Sequence, residues 1–135
     1  PARWRQLTLE IKLVPGGDLA GKDQMEYKVA MKPGQALVYS WQAVDGVPDD
    51  QFYSDFHGHT VVPGKDAVDA VSYREGMGSQ ANGSLVAGFD GVHGWYWQNQ
   101  SDRPVTVRLS LAGFFDLVPT GQPGNEAGLV AQVQP

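Results

Sequence analysis

The strongest constraint in the sequence is a strict alternation of apolar and polar residues near the start of the chain. In "LTLEIKL" (7–13), the odd positions are Leu7, Leu9, Ile11 and Leu13, and every even position is polar. Successive side chains of an extended strand project to opposite faces, so this pattern gives a strand one apolar and one polar face. The segment is therefore predicted to be a half-buried β-strand.

The same period of two recurs along the rest of the chain, in "MEYKVAMK", "ALVYSWQA", "QFYSDF", "GSLVAGF", "GWYWQN" and "VTVRLSLAGFF". Turn residues separate these segments, and Asp90-Gly91 and the loop "QSDRP" predict hairpins on either side of "GWYWQN". Seven or eight strands at intervals of about 8–12 residues predict an all-β fold, an antiparallel β-sandwich or jelly roll with little helix. The 17 glycines and nine prolines agree with a fold that is rich in turns.

The length of the chain fits a single domain with one core. We assign the β-sandwich to residues 1–118 and a flexible C-terminal tail to residues 119–135, which are rich in Gly, Pro and Gln. Between Pro63 and Gly83 the period weakens, and both a helical turn at 67–71 and a strand at 71–73 are compatible with the pattern. The residues predicted to face the core are Leu7, Leu9, Ile11, Val29, Leu37, Val107, Leu109 and Leu111.

Charge and composition exclude several classes of partner. The net charge of −5 and the pI near 4.9 argue against nucleic acid as a partner. The absence of cysteine excludes disulfides, thiolate metal sites and a cysteine nucleophile. No apolar run approaches the roughly 20 residues that a membrane helix needs, so any membrane attachment is expected through an N-terminal helix that this chain does not contain.

Two long segments carry a family resemblance. In "MKPGQALVYSWQAVDGVPDDQFYSDFHG" a glycine-led strand with an aromatic precedes a strand with alternating aromatics. In "GSLVAGFDGVHGWYWQNQSDRPVTVRLSLAGFF" a strand rich in glycine and aromatics ends in Asn before a polar loop and a Val-rich strand. Together they resemble GOLD-type β-sandwich domains of bacterial proteins described as transmembrane anchor proteins. The resemblance implies a periplasmic or extracytoplasmic interaction module that is tethered to a membrane in the full-length protein.

The three histidines predict a metal site. In "DFHGHT" the side chains of Asp55, His57 and His59 are expected to share one face of a strand. Their Cα atoms would then be about 6.6 Å apart from one residue of the set to the next. His93, in "DGVHGWYW", follows a turn that is expected to bring it back towards them. Three imidazoles can hold Zn or Cu, with Asp55 as a fourth ligand or as a residue that orients a ligand. The alternative is that all three histidines make ordinary hydrogen bonds in loops.

Aromatic residues form a second candidate site. Trp95 and Trp97 share a strand face, and Trp41 lies on a strand that is expected to be adjacent. Aligned aromatics are typical of surfaces that bind proteins or sugars, because they offer a large contact area at low entropic cost. A core position for these tryptophans is the alternative.

These patterns lead to one main functional prediction and two alternatives. The main prediction is a binding or anchoring module whose partner is a protein or a metal ion. The first alternative is a cupin-like jelly-roll metalloenzyme, which "HGH" and His93 favour, although the glutamate expected after the histidine pair is missing. The second is a carbohydrate-binding module. No nucleophile, general base or substrate pocket can be named, which favours a non-catalytic role.

Overall fold

The computed structural model describes residues 3–64 and 69–134. Their regular structure is almost entirely β, with one short 3-10 turn at Asp49–Gln51. The strands are β1 Trp4–Leu13, β2 Gln24–Met31, β3 Ala36–Ala43, β4 Phe52–His59, β5 Ala70–Met77, β6 Gln80–Val86, β7 Gly91–Asn99, β8 Val105–Phe114, β9 Asp116–Leu117 and β10 Gln132–Val133. The described ranges contain no helix with the length and apolar character needed to cross a membrane.

The strands form two antiparallel sheets of five strands each. Sheet 1 has the order β10-β1-β8-β3-β6, and sheet 2 has the order β5-β4-β7-β2-β9. Among the eight long strands only β4 and β5 are neighbours both in sequence and in a sheet, and every other connection crosses between the sheets. An eight-stranded double sheet of this kind is a jelly roll, which confirms the predicted fold class.

The predicted hairpins around "GWYWQN" do not form. This segment belongs to β7 in sheet 2, whereas the strands before and after it, β6 and β8, lie in sheet 1. The turn residues were identified correctly as places where the chain reverses. Turn residues do not specify whether the strands on either side of a turn pair with each other in one sheet or join the two opposite sheets. Here consecutive strands join opposite sheets, with the core between them.

The core lies between the two sheets and confirms the predicted inward face. All eight of the residues predicted to be inside are at most 5% exposed. The pairing explains this, because β1 and β8 run side by side with Leu7 opposite Leu111, Leu9 opposite Leu109 and Ile11 opposite Val107. Paired residues in an antiparallel ladder project to the same side, so each pair adds two apolar side chains to one layer.

Two segments that the sequence left less defined have clear positions. Residues 70–77 form β5, which pairs with β4, so the strand interpretation applies at 71–73; the helical turn at 67–71 falls partly on residues outside the described ranges. The segment from Pro119, predicted as a flexible tail, lies against the sandwich. Its residues Gln132 and Val133 pair with β1, and Asn125 is only 2% exposed.

Hydrogen bonds explain why the C-terminal segment stays close to the sheets. The side-chain amide of Asn125 donates to the carbonyls of Val118 and Leu129, and its oxygen accepts from the backbone N–H of Leu129. The carbonyl of Gly124 accepts from the backbone N–H of Lys28 on β2. These bonds occur where the composition suggested only a polar linker, because a buried asparagine can replace the hydrogen bonds of a regular strand.

Candidate functional site

The register of β4 and β7 decides which face each histidine occupies. Along β4, Phe52 and Phe56 are buried, while Tyr53, Asp55, His57 and His59 are half-buried and point away from the core. We call this solvent side of sheet 2 its outer face. His93 is opposite Gly58 in the β4–β7 ladder, on the inner side, and is fully buried. The outer face thus carries two of the three histidines.

The predicted three-histidine set does not converge on one ion in this fold. His57 and His59 share a face as predicted, but the sheet separates their side chains from that of His93. Within the described ranges no group of three or more His, Cys, Asp or Glu side chains is arranged to hold a metal ion. The cause is strand parity, since a shift of one residue moves a side chain to the other face. Binding of Zn or Cu through the outer pair stays a prediction that a titration of wild type against His57→Ala tests.

His93 instead joins a hydrogen-bonded network inside the sandwich. Its Nε2 lies 3.3 Å from the carbonyl oxygen of Phe89, and its Nδ1 lies 2.8 Å from the hydroxyl of Tyr73. A carbonyl only accepts, so Nε2 carries the proton and Nδ1 accepts from Tyr73. The rings of Tyr73 and Phe89 pack against the imidazole. This arrangement fits a neutral histidine that ties β5 to β7.

The buried position of His93 makes folding sensitive to mild acid. Burial lowers the pKa of His93 below 6.5, and the like charge of His59 acts in the same direction; the hydrogen bond to Phe89 and the charge of Asp90 oppose this. Because the unfolded chain then binds the proton more readily, the contribution of His93 to stability is complete above pH 6.5 and is lost as pH falls below it. We expect the unfolding free energy to drop there by up to about 1.4 kcal/mol per pH unit.

Urea unfolding at a series of pH values measures this slope. His93→Gln is the control, because glutamine keeps a donor and an acceptor but does not titrate, so the part of the slope that belongs to His93 disappears. All other residues are the same in the two proteins, so the difference between their slopes isolates His93. An identical pH dependence in wild type and His93→Gln would contradict the assignment.

The three tryptophans predicted as a partner surface lie in the core. Trp41 is 3% exposed and Trp95 and Trp97 are 0% exposed. Trp95 stacks on Phe56 with ring centroids 4.7 Å apart, and Trp41 meets Trp97 edge to face at 6.1 Å. The physical reason is again parity, because Trp41 shares its strand face with Leu37 and is therefore inside. These side chains present no surface to a partner in this fold.

The aromatic residues on the outer face of sheet 2 include two tyrosines, Tyr53 and Tyr96. Tyr53 on β4 and Tyr96 on β7 are half-buried on the outer face, with ring centroids 6.2 Å apart and planes at 64°. The hydroxyl of Tyr53 donates to Glu75 at 2.6 Å, and that of Tyr96 donates to Gln24. The hydrogen bond to Glu75 raises the pKa of Tyr53 to about 12. This pair was not among the residues predicted from the sequence, although Tyr96 alternates with Trp95 and Trp97.

A chain of polar contacts continues across the outer face. The ammonium of Lys28, 2% exposed, lies 2.7 Å from one oxygen of Glu26, and the other oxygen lies 4.0 Å from Nε2 of His57. The imidazole lies 3.7 Å from the carboxylate of Asp55, which accepts a hydrogen bond from Ser72 at 2.9 Å. The carboxylates of Glu26 and Asp55 therefore lie on either side of the His57 imidazole, and Lys28, the lysine of this contact chain, is closed off from solvent.

The C-terminal segment forms a wall beside this face. Glu126 and Ala127 line a cavity of about 430 Å³ together with Gln24, Met25, Glu26 and Tyr96. Hollows of about 420 Å³ also lie on the outer side of sheet 1, so the aromatic and polar groups, and not the volume, distinguish this face. The outer face of sheet 2 is thus a partly walled surface of aromatic, amide and carboxylate groups, which can bind a ligand by stacking and hydrogen bonding.

Comparison with known proteins does not assign this chain to a family. No protein-family model matches the sequence, and no curated protein matches it either.

Proposed function

We propose that the chain is an extracytoplasmic binding or anchoring module, tethered to a membrane in the full-length protein, that recognises its ligand with the outer face of sheet 2. The observation that carries the binding role is the Tyr53–Tyr96 pair, set among polar side chains and walled by the C-terminal segment. The resemblance of residues 25–115 to GOLD-type domains supports the location and the tether.

The arrangement of the polar groups favours binding over catalysis. A metalloenzyme of the cupin-like kind would use His57, His59 and His93 together, and these lie on opposite sides of sheet 2. The carboxylates of Glu26, Asp55 and Glu75 each accept a hydrogen bond or ion pair from the chain itself. Groups held in this way can orient a ligand by hydrogen bonding.

A photo-cross-linking experiment in intact cells tests both parts of the proposal. A photoreactive amino acid replaces Gln98 on the outer face of sheet 2 in the full-length gene product. The matched control carries it at Ser110, which is exposed on the outer side of sheet 1. We expect adducts from position 98 and not from position 110, in material that sediments with membranes and is digested by protease added outside the inner membrane.

Two results would contradict the proposal independently. Recovery of the full-length product in the cytosol would remove the tether and the extracytoplasmic location. Equal adduct yields from positions 98 and 110 would remove the assignment of the binding role to sheet 2.

A further inference from the structure

We propose that the ligand of this outer face is a neutral glycan, with Tyr53 and Tyr96 as the aromatic platform on which a sugar ring rests. This inference rests on the proposed binding function and specifies its ligand class. Its first support is the shape of the aromatic pair. Two half-buried rings whose planes meet at 64° form an open corner, and their hydroxyls are already held by Glu75 and Gln24. A corner fixed in this way can contact the apolar face of a sugar ring at little entropic cost.

The second support is the set of hydrogen-bonding groups beside the rings. The side-chain oxygens of Gln24 and Gln98 accept bonds from Tyr96 and Gln100, so the amide orientations are fixed. In the described part of the chain, their Nε2 atoms donate no hydrogen bond to another residue. Two oriented amide donors near several carboxylate acceptors suit hydroxyl groups, since each hydroxyl both donates and accepts.

The third support concerns charge. Asp55 is bonded by Ser72, Glu75 by Tyr53, and Glu26 by the buried ammonium of Lys28. Only Glu26 has a cationic partner, whereas Asp55 and Glu75 accept from neutral hydroxyl groups and keep their negative charge. An anionic ligand would meet three carboxylates and no exposed lysine or arginine among these groups. A neutral glycan avoids this repulsion, and its hydroxyl groups can donate to the free acceptor positions of the carboxylates.

The composition also favours a glycan over a protein. The centres of protein interfaces are depleted of charged residues and are built around apolar contacts. Here carboxylates and an imidazole occupy the middle of the face, between Tyr53 and Lys28. The adjoining cavity of about 430 Å³ continues the surface past Tyr96 and gives a chain of sugars room beyond the platform.

Binding of defined oligosaccharides to the purified chain tests the inference. Three sets of probes are used: neutral oligomers of glucose and N-acetylglucosamine, cationic oligomers of glucosamine, and anionic oligomers of galacturonic acid. We expect calorimetric binding of at least one neutral set, with affinity reduced by about tenfold or more in Tyr96→Ala and in Tyr53→Ala. Trp4→Ala is the matched control, because Trp4 is an aromatic side chain, 57% exposed, on sheet 1. That variant is expected to bind as wild type does.

Far-UV circular dichroism shows that each variant is folded, and amide chemical-shift mapping on the wild type gives a second readout if one tyrosine variant does not fold. Shifts should then cluster at β2, β4 and β7. The inference is overturned if no neutral oligomer binds at millimolar concentration, if only charged oligomers bind, or if the tyrosine variants bind as tightly as wild type. A protein adduct from position 98 in cells, combined with no glycan binding, would overturn the glycan and leave the binding role of the face intact.

Discussion

Leu109→Ala is expected to lower the free energy of unfolding by about 2–5 kcal/mol, the range measured for large-to-small changes in packed cores. Leu109 lies in the middle of β8, is 0% exposed, and has Leu9 and Trp41 as its partners on the two neighbouring strands. Removing its branched side chain leaves a cavity between the sheets that Trp41, itself packed edge to face on Trp97, cannot fill by a small movement.

Two further substitutions show whether burial is the cause. Ser110→Ala, one residue along β8 and exposed, should change stability by no more than about 0.5 kcal/mol. Leu109→Met keeps most of the volume and should cost less than about 1.5 kcal/mol. Chemical denaturation of the three variants gives the comparison. If Leu109→Ala were as stable as Ser110→Ala, the inner and outer faces of β8 would have been exchanged.

Alternation of apolar residues was enough to predict the fold class and much of the core. In β1 and β8 every second residue is apolar. A strand with this pattern has one orientation that places all of these apolar side chains in the core. Alternation within a strand fixes which residues share a face, but it does not relate the face of one strand to that of the next. His93 illustrates this, because only its pairing with Gly58 shows that it lies inside while His57 and His59 lie outside.

The outer face could not be predicted for a related reason. Trp95 and Trp97 were predicted to form a binding surface because they are large aromatics, but large aromatics are also the residues that best fill a core. Tyr96, between them, is the outward residue, and its neighbour Tyr53 comes from a strand more than forty positions earlier. The register that brings these rings together depends on the jelly-roll order of β4 and β7, which no local pattern encodes. The wall formed by residues 119–129 was likewise hidden, because it depends on the buried Asn125.

Gly94→Ala is expected to destabilise the protein by about 3 kcal/mol or more, at or beyond the upper end of the usual cost of overpacking. Gly94 lies opposite Lys28 in the β2–β7 ladder. A Cβ there would overlap the carbonyl oxygen of Tyr27 and lie 2.6 Å from the Cα of Lys28. Both obstacles are backbone atoms of the neighbouring strand, so the clash is relieved only if β2 and β7 move apart. Neither rotation of a side chain nor local repacking can remove it.

Gly88→Ala is the matched control, because a Cβ at Gly88 meets nothing within 4 Å. That substitution should be neutral, or should stabilise the chain slightly by restricting the unfolded state. Thermal and urea unfolding measure both variants. The Gly94→Ala change should also disturb the outer face, since displacement of Lys28 withdraws the partner of Glu26 and with it the contact to His57. If the two variants were equally stable, β2 and β7 would be farther apart than in this structure. The contacts of Glu26 with Lys28 and His57, which depend on this close approach, would then be wrong as described.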